Sequence, residues 1–446
     1  MLSSAGSCMS RSLASKAAMF EFSKSERLVD FLCSRLPMNH HALPDVRYLD
    51  EKLKLKYGPN SKVCKFLVGS SWDGLPSLVD PAYHLPASRK LRKRQQLMSI
   101  FRAVAPLLLC ERKESNPLKL VDFCGGGGHV GLLLAFLFPD VEVICVDKNV
   151  RALELGVQRA KDLSLSNYRT VEGEVMEFDE AFDVGVSLHA CGAATDMVIS
   201  KCLTHSVPLV VSSCCVGKIG LTSFATLRMP GDPSEQPVWD EAKGSSMREL
   251  LREYASLHGE DGDNEHTLFV RLSKAADYSK VEFTSITIHR MFAKLLIELD
   301  RLDGIRELSA NTGSRFDGRI CKMEPLTATP KNDILIAWPQ SVAVDVDSFR
   351  LSKDPLTSQN FTSVRTEMKA CDDCKITGLA EIRQKLVAFK DDPSQSCLTL
   401  EDVQGSQARK LVHGEAERLG LLHASEGKGK ARKVIVRKLE TKSPCS

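Results

Sequence analysis

The sequence lacks the features that mark membrane, secreted or disordered proteins. Its longest apolar run, Gly131 to Phe138, is far shorter than the ~20 residues that a membrane-spanning helix needs. No charged and then apolar leader precedes the body of the chain, so its 15 cysteines are expected to be reduced thiols inside the cell. With 43% hydrophobic and 26% charged residues, the composition excludes a wholly disordered or fibrous chain. The expected location is the cytoplasm, with the nucleus or an organelle as alternatives.

The small net charge of +3 is a sum over unlike parts of the chain. Residues 405–446 carry ten Lys or Arg and four Glu, a net charge of +6, which leaves −3 for the rest. A near-neutral body with a basic end predicts an anionic partner at that end. A tail kept basic for solubility would have the same composition.

The length of 446 residues predicts two or three domains, and changes in pattern suggest where they lie. We divide the chain into a disordered or transit segment (1–20), a helical or irregular extension (21–88), an α/β domain with an insertion around 222–266 (89–340), a linker (341–375), a compact basic domain (376–440) and a tail (441–446).

The α/β domain begins with a basic cluster. Five basic residues precede a helical period at 95–109, namely Arg89, Lys90, Arg92, Lys93 and Arg94. They would contact a phosphate backbone, or they are the solvated end of a helix. The predicted strands that follow are 118–123, 141–146, 170–175, 182–188, 209–212 and 333–338, and the predicted helices are 130–138, 151–163, 246–257 and 286–302. This alternation predicts a parallel α/β sheet covered on both faces.

Four consecutive glycines, 125–128, join the first predicted strand to the first helix. Glycine lets the backbone approach a ligand closely, and a helix N-terminus favours anionic groups. The spacing Gly126-x-Gly128-x-x-Gly131 fits a dinucleotide, whereas Asp122 suits the methionine end of S-adenosyl-L-methionine. A tight turn with no ligand is the third interpretation.

Two further acidic residues favour the methyl donor. Asp147 ends the second predicted strand, where a carboxylate would accept both ribose hydroxyls. Glu174 follows Gly173 at the end of the third predicted strand, where its side chain would accept from the adenine amino group. We therefore predict as cofactor-binding residues Asp122, Cys124, Gly126, Gly128, Asp147 and Glu174.

Several segments resemble the methyltransferase-like domain of glutathione S-transferase C-terminal domain-containing proteins. They are the glycine loop, the segment 188–196 with its His-x-Cys-Gly-x-Ala-Thr-Asp pattern, the pair Cys214-Cys215 and the string 329–335. The His-x-Cys pattern is also similar to that of eukaryotic transfer-RNA 2′-O-methyltransferases. The resemblance covers about residues 70–340. It implies a Rossmann-like, seven-stranded class I methyltransferase domain that uses S-adenosyl-L-methionine, with the last strand antiparallel. Cys124 stands where most such enzymes have the first loop glycine, and Ser213 stands where the relatives have proline.

Methyl transfer needs a positioned acceptor and, at oxygen or nitrogen, the loss of a proton. His189 follows the fourth predicted strand and is the candidate base or acceptor-orienting group, with a structural histidine as the alternative. Asp196 is expected to cap the helix at Met197 or to bond His189. Cys214 is a second catalytic candidate, as a thiolate nucleophile. Cys191, Cys214 and Cys215 are expected near the same strand ends, where they could bind a metal ion together with His189. Because no Cys-x-x-Cys pair anchors them, no metal site is predicted.

The C-terminal segment resembles the small domain family named for its Arg-x-x-x-His signature, which binds single-stranded nucleic acid. Arg409 and His413 lie four residues apart and so share a helical face, and Lys433 begins a basic strand. These three residues are the predicted nucleic-acid contacts in a small α+β domain. The alternative is an ordinary amphipathic helix with solvated Arg and His.

The sequence thus predicts an S-adenosyl-L-methionine-dependent methyltransferase that acts on RNA, with tRNA favoured. One alternative is a non-catalytic RNA-binding protein with a methyltransferase-like scaffold. The other is a methyltransferase for a protein or a small molecule.

Overall fold

The chain divides into two units, one within residues 1–361 and one within 362–446. The computed structural model describes residues 24–69, 72–80, 85–110, 116–217, 244–260, 262–277, 285–311, 314–352, 385–392, 395–400, 412–413, 416, 419, 421–427 and 433–438. The predicted segments 1–20 and 441–446 lie wholly outside the described residues, and every other predicted segment lies partly outside them. The domain boundaries therefore stay predictions.

The first unit is built on a seven-stranded sheet. Its strands are Leu118–Phe123 (β1), Val141–Asp147 (β2), Tyr168–Glu172 (β3), Val184–Leu188 (β4), Leu209–Ser212 (β5), Phe316–Lys322 (β6) and Asp333–Pro339 (β7). They follow the order β3-β2-β1-β4-β5-β7-β6. Strand β7 is antiparallel to both of its neighbours, whereas β1 to β5 pair in parallel. This arrangement confirms the predicted Rossmann-like sheet with its last strand antiparallel.

Helices surround the sheet, and local sequence explains several of their starts. In the described residues they are 24–33 (α1), Val46–Tyr57 (α2), Lys62–Gly69 (α3), Ala87–Leu108 (α4), His129–Leu137 (α5), Val150–Asp162 (α6), Ala193–Thr204 (α7), Ser245–His258 (α8), Glu265–Ala276 (α9) and Ser285–Asn311 (α10). The side chain of Asp45 caps α2, and that of Asn149 caps α6 by accepting from the Ala152 amide at 3.2 Å. No described helix combines the length and apolar character needed to cross a bilayer.

Several elements differ from the sequence prediction, among them β3, β6 and α9. Strand β3 ends at Glu172 rather than at Val175, because Glu174 begins a short 3₁₀ helix over Val175–Glu177 through a capping box. Strand β6 was not predicted, since its alternating burial and its charged residues weaken the apolar signal. Helix α9 was also not predicted; it begins at the end of the stretch 222–266 that was interpreted as a polar insertion and extends ten residues beyond it.

The parallel strands bring five loops to one edge of the sheet, here called the carboxyl edge. The glycine loop follows β1, Asp147 ends β2, and Glu174 follows β3. His189 follows β4, and residues 213–215 follow β5. Because ligands of open α/β sheets bind beyond the carboxyl ends of the strands, this edge is where a site is expected.

The second unit contains a three-stranded antiparallel sheet. Its strands are Cys397–Leu400 (β8), Leu422–Glu426 (β9) and Lys433–Arg437 (β10), in the order β8-β10-β9. A helix over residues 385–391 and the helical positions Val412 and Ala416 pack against this sheet. The unit confirms the predicted small α+β fold.

Candidate functional site

The glycine loop is shaped by left-handed backbone and close packing. Cys124, Gly126 and Gly128 have φ of 56°, 54° and 72°. A Cβ at Gly128 would stand 2.1 Å from the Tyr168 hydroxyl, and one at Gly125 would stand 2.6 Å from Asp122 Oδ2. The fold itself therefore requires glycine at positions 125 and 128.

Gly126 differs from these two glycines because space lies beside it. A Cβ there would meet only Asp147 Oδ2, at 3.9 Å. Its amide donates to the same carboxylate oxygen at 2.9 Å. The loop therefore has an open side next to Asp147, as a cradle for a ligand requires.

Asp122 lies beneath the loop, where protein encloses its carboxyl group. Its Oδ2 accepts from the Gly131 amide at 2.9 Å, and its buried Oδ1 has no hydrogen-bond partner in the described residues. Burial raises the pKa of Asp122 to about 7, although the Gly131 amide and Lys93 oppose the rise. Asp122 thus ties the first turn of α5 to β1, and its contact with a methyl donor stays a prediction.

The two other predicted acidic residues lie at strand ends, as the sequence indicated. Asp147 accepts from the amides of Gly126 and Asn149, the latter at 2.8 Å, so its orientation is defined. Glu174 is exposed and forms an ion pair with Lys148 at 3.3 Å. Of the two carboxylates, that of Asp147 has the better defined orientation for binding a ligand.

His189 has an unusual backbone conformation for a residue with a side chain. Its φ is 75°, which costs on the order of 1–3 kcal/mol and is typical of functional sites. Its ring is open to solvent at the carboxyl edge, and no hydrogen bond joins it to another described residue. Surrounding protein and the charge of Lys93 lower the pKa of His189 to about 4, so the imidazole is neutral near pH 7.

Cys214 lies in an environment opposite to the one that activates a thiolate. Its sulfur is 3.2 Å from that of Cys191 and 3.7 Å from that of Cys215. The hydrogen bond with Cys191, burial and the neighbouring thiols all raise the pKa of Cys214. A nucleophilic thiolate needs a lowered pKa, so this geometry does not favour the predicted nucleophile.

Lys93 is a candidate site residue that the sequence analysis did not single out. Whereas Lys90 and Arg94 on the same helix pair with Asp80, Lys93 is half-buried and has no hydrogen bond or ion pair in the described residues. Burial lowers the pKa of Lys93, and the negative charge of Asp122 opposes this change. The sequence did indicate that Lys93 differs from the other basic residues of its cluster. At helical spacing it shares one face of the helix with the apolar positions 97, 100 and 104.

A buried ion network underlies the motif residues. It joins α7, α10, β6 and β7 and consists of three cations and three carboxylates, namely Lys294, Arg301 and Lys322 with Asp196, Glu298 and Asp333. Burial alone would raise the pKa of Glu298, but the two basic residues beside it lower that pKa to about 2. The network is therefore charged and balanced within the core.

This network corrects one expectation and accounts for a sequence departure. Asp196 neither caps α7 nor bonds His189, because it lies inside the helix and forms a two-pronged pair with Arg301 at 2.8 and 3.0 Å. Ser213 donates to Glu298 at 2.7 Å and accepts from Arg301 at 3.1 Å. The residue that replaces proline is thus part of the network.

In the second unit, His413 contacts strand β9 through both ring nitrogens. Its Nδ1 lies 2.9 Å from that of His423, and its Nε2 lies 2.8 Å from Ser425 Oγ. Lys433 begins β10 opposite Glu426. Arg409 lies outside the described residues, so the three predicted nucleic-acid contacts stay predictions.

Comparisons with known proteins agree with both units. A family model described as a methyltransferase domain matches residues 92–220, and the model of the Arg-x-x-x-His domain matches residues 378–438. The glutathione S-transferase C-terminal domain-containing protein of Bos taurus is 31% identical over 272 residues, which are 60% of this chain and 37% of that protein. Its Homo sapiens counterpart is 29% identical over 60% of this chain and 36% of that protein.

The chain thus spans about a third of the length of these curated relatives. Among solved structures, a protein-L-isoaspartate O-methyltransferase is 16% identical over 38% of this chain and 55% of that chain, with a TM-score of 0.26. The chain therefore contains a methyltransferase domain followed by an Arg-x-x-x-His domain. It has homologues among the glutathione S-transferase C-terminal domain-containing proteins.

Proposed function

We propose that this chain, with its methyltransferase domain and its Arg-x-x-x-His domain, is an S-adenosyl-L-methionine-dependent methyltransferase that acts on RNA, with tRNA favoured. The observation that carries the proposal is the arrangement at the carboxyl edge. There the open side of the glycine loop, the oriented carboxylate of Asp147 and the strained, solvent-facing His189 follow neighbouring strands.

The residues present fit the methyl donor. Asp147 would hold the ribose hydroxyls, and the space beside Gly126 would admit the ligand close to the backbone. The ammonium of Lys93, which has no ion pair among the described residues, suits the carboxylate of the methionine end. When bound, S-adenosyl-L-methionine supplies a methyl group on a sulfonium that is already activated.

The chain's own task is to place the acceptor and to exclude water. His189 would hydrogen-bond an acceptor hydroxyl or nitrogen through its ring and so orient it. The left-handed backbone at His189, with a φ of 75°, lies directly after β4, where the residue is exposed. Asp122 keeps the glycine loop and α5 in register beneath the site.

The second unit supports RNA as the acceptor. The +6 charge of residues 405–446 attracts a polyanion, and basic and imidazole side chains can pair with phosphates or stack on bases. The positioning of His413 against β9 would present the signature helix of this domain in a defined orientation.

Loss of the Asp147 carboxylate is expected to weaken binding of S-adenosyl-L-methionine about 10- to 100-fold, because hydrogen bonds to a charged group contribute about 1.5–3 kcal/mol. Isothermal titration calorimetry of the full chain with Asp147→Ala and Asp147→Asn measures this effect. Asp162→Ala removes an exposed carboxylate from the end of α6 and serves as the matched control. Tight binding of a nicotinamide dinucleotide, with no binding of the methyl donor, would contradict the proposal.

Incubation of the chain with labelled methyl donor and total RNA is expected to place label in RNA. His189→Ala is expected to reduce the rate of methyl transfer at least tenfold, because it removes a positioned catalytic group. His258→Ala, at an exposed histidine at the end of α8, is the control. Nucleoside analysis then identifies the methylated atom.

The same experiment separates the alternatives. Label in protein or in a small molecule, unaffected by Arg409→Ala, would indicate the other kind of methyltransferase. Donor binding without any transfer would indicate a scaffold that only binds RNA.

A further inference from the structure

Three cysteines from two motif segments bring their sulfur atoms together at the carboxyl edge. Cys191 follows β4, and Cys214 and Cys215 follow β5. Their Sγ atoms all lie within 4.8 Å of one another, with 3.2 Å between Cys191 and Cys214 and 3.7 Å between Cys214 and Cys215. Neighbours in the sequence supply only one of these contacts, so the fold creates the cluster.

The backbone holds this cluster in place. Cys191 and Cys215 form an isolated parallel β-bridge, and the Gly192 amide donates to the Cys215 carbonyl at 2.8 Å. Gly192 has a φ of 59°, which turns the chain into α7 directly after Cys191. The thiols are therefore arranged by main-chain geometry and not by flexible side chains alone.

The spacing suits a thiophilic metal ion. A tetrahedral zinc ion with Zn–S bonds of about 2.3 Å places its sulfur ligands roughly 3.8 Å apart. The observed separations lie around this value, so small side-chain rotations would bring three sulfurs to bonding distance. Cys191 is exposed and the other two are half-buried, so an ion can enter from solvent.

The charges around the cluster also favour a cation over free thiolates. Lys331 Nζ lies 3.9 Å from Cys215 Sγ, but Lys331 is itself paired with Asp277. Three thiolates this close repel one another strongly, and a bound divalent ion removes that repulsion when the protons leave.

We propose that Cys191, Cys214 and Cys215 form a binding site for a thiophilic divalent cation, with Zn²⁺ as the favoured ion. Three thiolates would bind it, and the fourth position would be open to a water molecule or another exogenous ligand, as in zinc sites that keep a free coordination position. The site assigns to Cys214 a ligand role in place of the nucleophile that the sequence suggested.

The test is a titration of the full, reduced and metal-free chain with Co²⁺. One equivalent is expected to bind and to give the sulfur-to-cobalt absorption and the intense visible bands of a tetrahedral thiolate site, which Zn²⁺ then displaces. Cys191→Ser, Cys214→Ser and Cys215→Ser should each weaken binding by roughly a hundredfold or more, because each removes a direct ligand. Cys397→Ser, at an exposed thiol of the second unit, should leave the titration unchanged.

A second measurement does not depend on the variants. Addition of Zn²⁺ to the native chain should protect three thiols from a thiol-reactive reagent. No sulfur-to-cobalt band in the reduced chain, or the same band in all three serine variants, would overturn the proposal. So would oxidation of Cys191 and Cys214 to a disulfide by an added thiol oxidant at the same rate with and without Zn²⁺, since a bound ion should block that two-electron oxidation. Metal binding and methyl transfer are independent, so a chain that binds cobalt and transfers no methyl group would contradict only the proposed function.

Discussion

Replacing Arg301 by methionine is expected to destabilise the first unit by about 3–5 kcal/mol, because it leaves buried carboxylates without their partner. Arg301 is 3% exposed and pairs with Asp196 and Glu298, which are themselves buried. Since a domain has only about 5–15 kcal/mol of stability in total, this change should leave the unit marginally folded.

Urea unfolding followed by tryptophan fluorescence measures this effect. All three tryptophans, Trp72, Trp239 and Trp338, belong to the range of the first unit, so the signal reports on that unit. Arg306→Met removes an exposed guanidinium from the same helix and should change the stability by less than about 0.5 kcal/mol.

A paired substitution sharpens the test. The double variant Asp196→Leu with Arg301→Met removes one carboxylate together with the guanidinium that pairs with it. Part of the free energy of unfolding that Arg301→Met loses should therefore be regained. If Arg301→Met alone had the small effect of Arg306→Met, the network would not stabilise the fold as described here.

Raising the pH from 4 to 8 is expected to destabilise the native chain by about 4 kcal/mol relative to Asp122→Asn. Burial raises the pKa of Asp122 from 3.8 to about 7. The unfolded chain loses this proton near pH 4, whereas the folded chain keeps it up to about pH 7. Between those values the folded state binds more protons, so stability falls as the pH rises. Below pH 4 and above pH 7 the two states carry the same charge at this residue, and the contribution is constant.

The neighbours of Asp122 on each packed element bear on this prediction. Lys93 on α4 favours the carboxylate, whereas Asp147 on β2 opposes it. The thiol of Cys145 on β2 and the hydroxyl of Tyr168 on β3 are uncharged at these pH values, since burial raises the pKa of both well above their usual ranges. Cys145 and Tyr168 therefore add no change of charge beside Asp122 between pH 4 and pH 8.

Urea unfolding at each pH, with the native chain and Asp122→Asn side by side, isolates this residue. The asparagine resembles the protonated acid, because its amide oxygen can accept from the Gly131 amide. Asp140→Asn, at an exposed carboxylate of the first unit, should follow the native curve. A constant difference between the native chain and Asp122→Asn from pH 4 to pH 8 would contradict the raised pKa.

Much of the sheet could be predicted from the sequence because its strands are short, apolar and separated by helical periods. Strands β1 and β5 have the predicted ends, and the glycine loop, Asp147 and His189 lie at strand ends as expected. Strand β3 begins and ends earlier than predicted. Its end is set by the capping box of Glu174 and Glu177, which the apolar pattern does not show. Local patterns thus located most elements, and their ends depended on capping contacts.

The partners of the motif residues could not be predicted in the same way. Asp196 and Arg301 are 105 residues apart, and Ser213 and Glu298 are 85 apart. A pattern within a short window carries no information about such pairs. For the same reason the sequence indicated a surface cluster for Lys93 and a nucleophile for Cys214.

The sequence by itself determined the α/β class of fold, the glycine loop with its acidic strand ends, and the presence of a basic C-terminal segment. Each of these depends on local composition or periodicity, which a chain carries before it folds. Tertiary structure alone decided that Asp122 is enclosed, that Asp196 belongs to a buried ion network and that the sulfur atoms of three cysteines lie within 4.8 Å of one another. The physical reason is that burial and charge pairing arise from contacts between distant segments, and the sheet order creates those contacts.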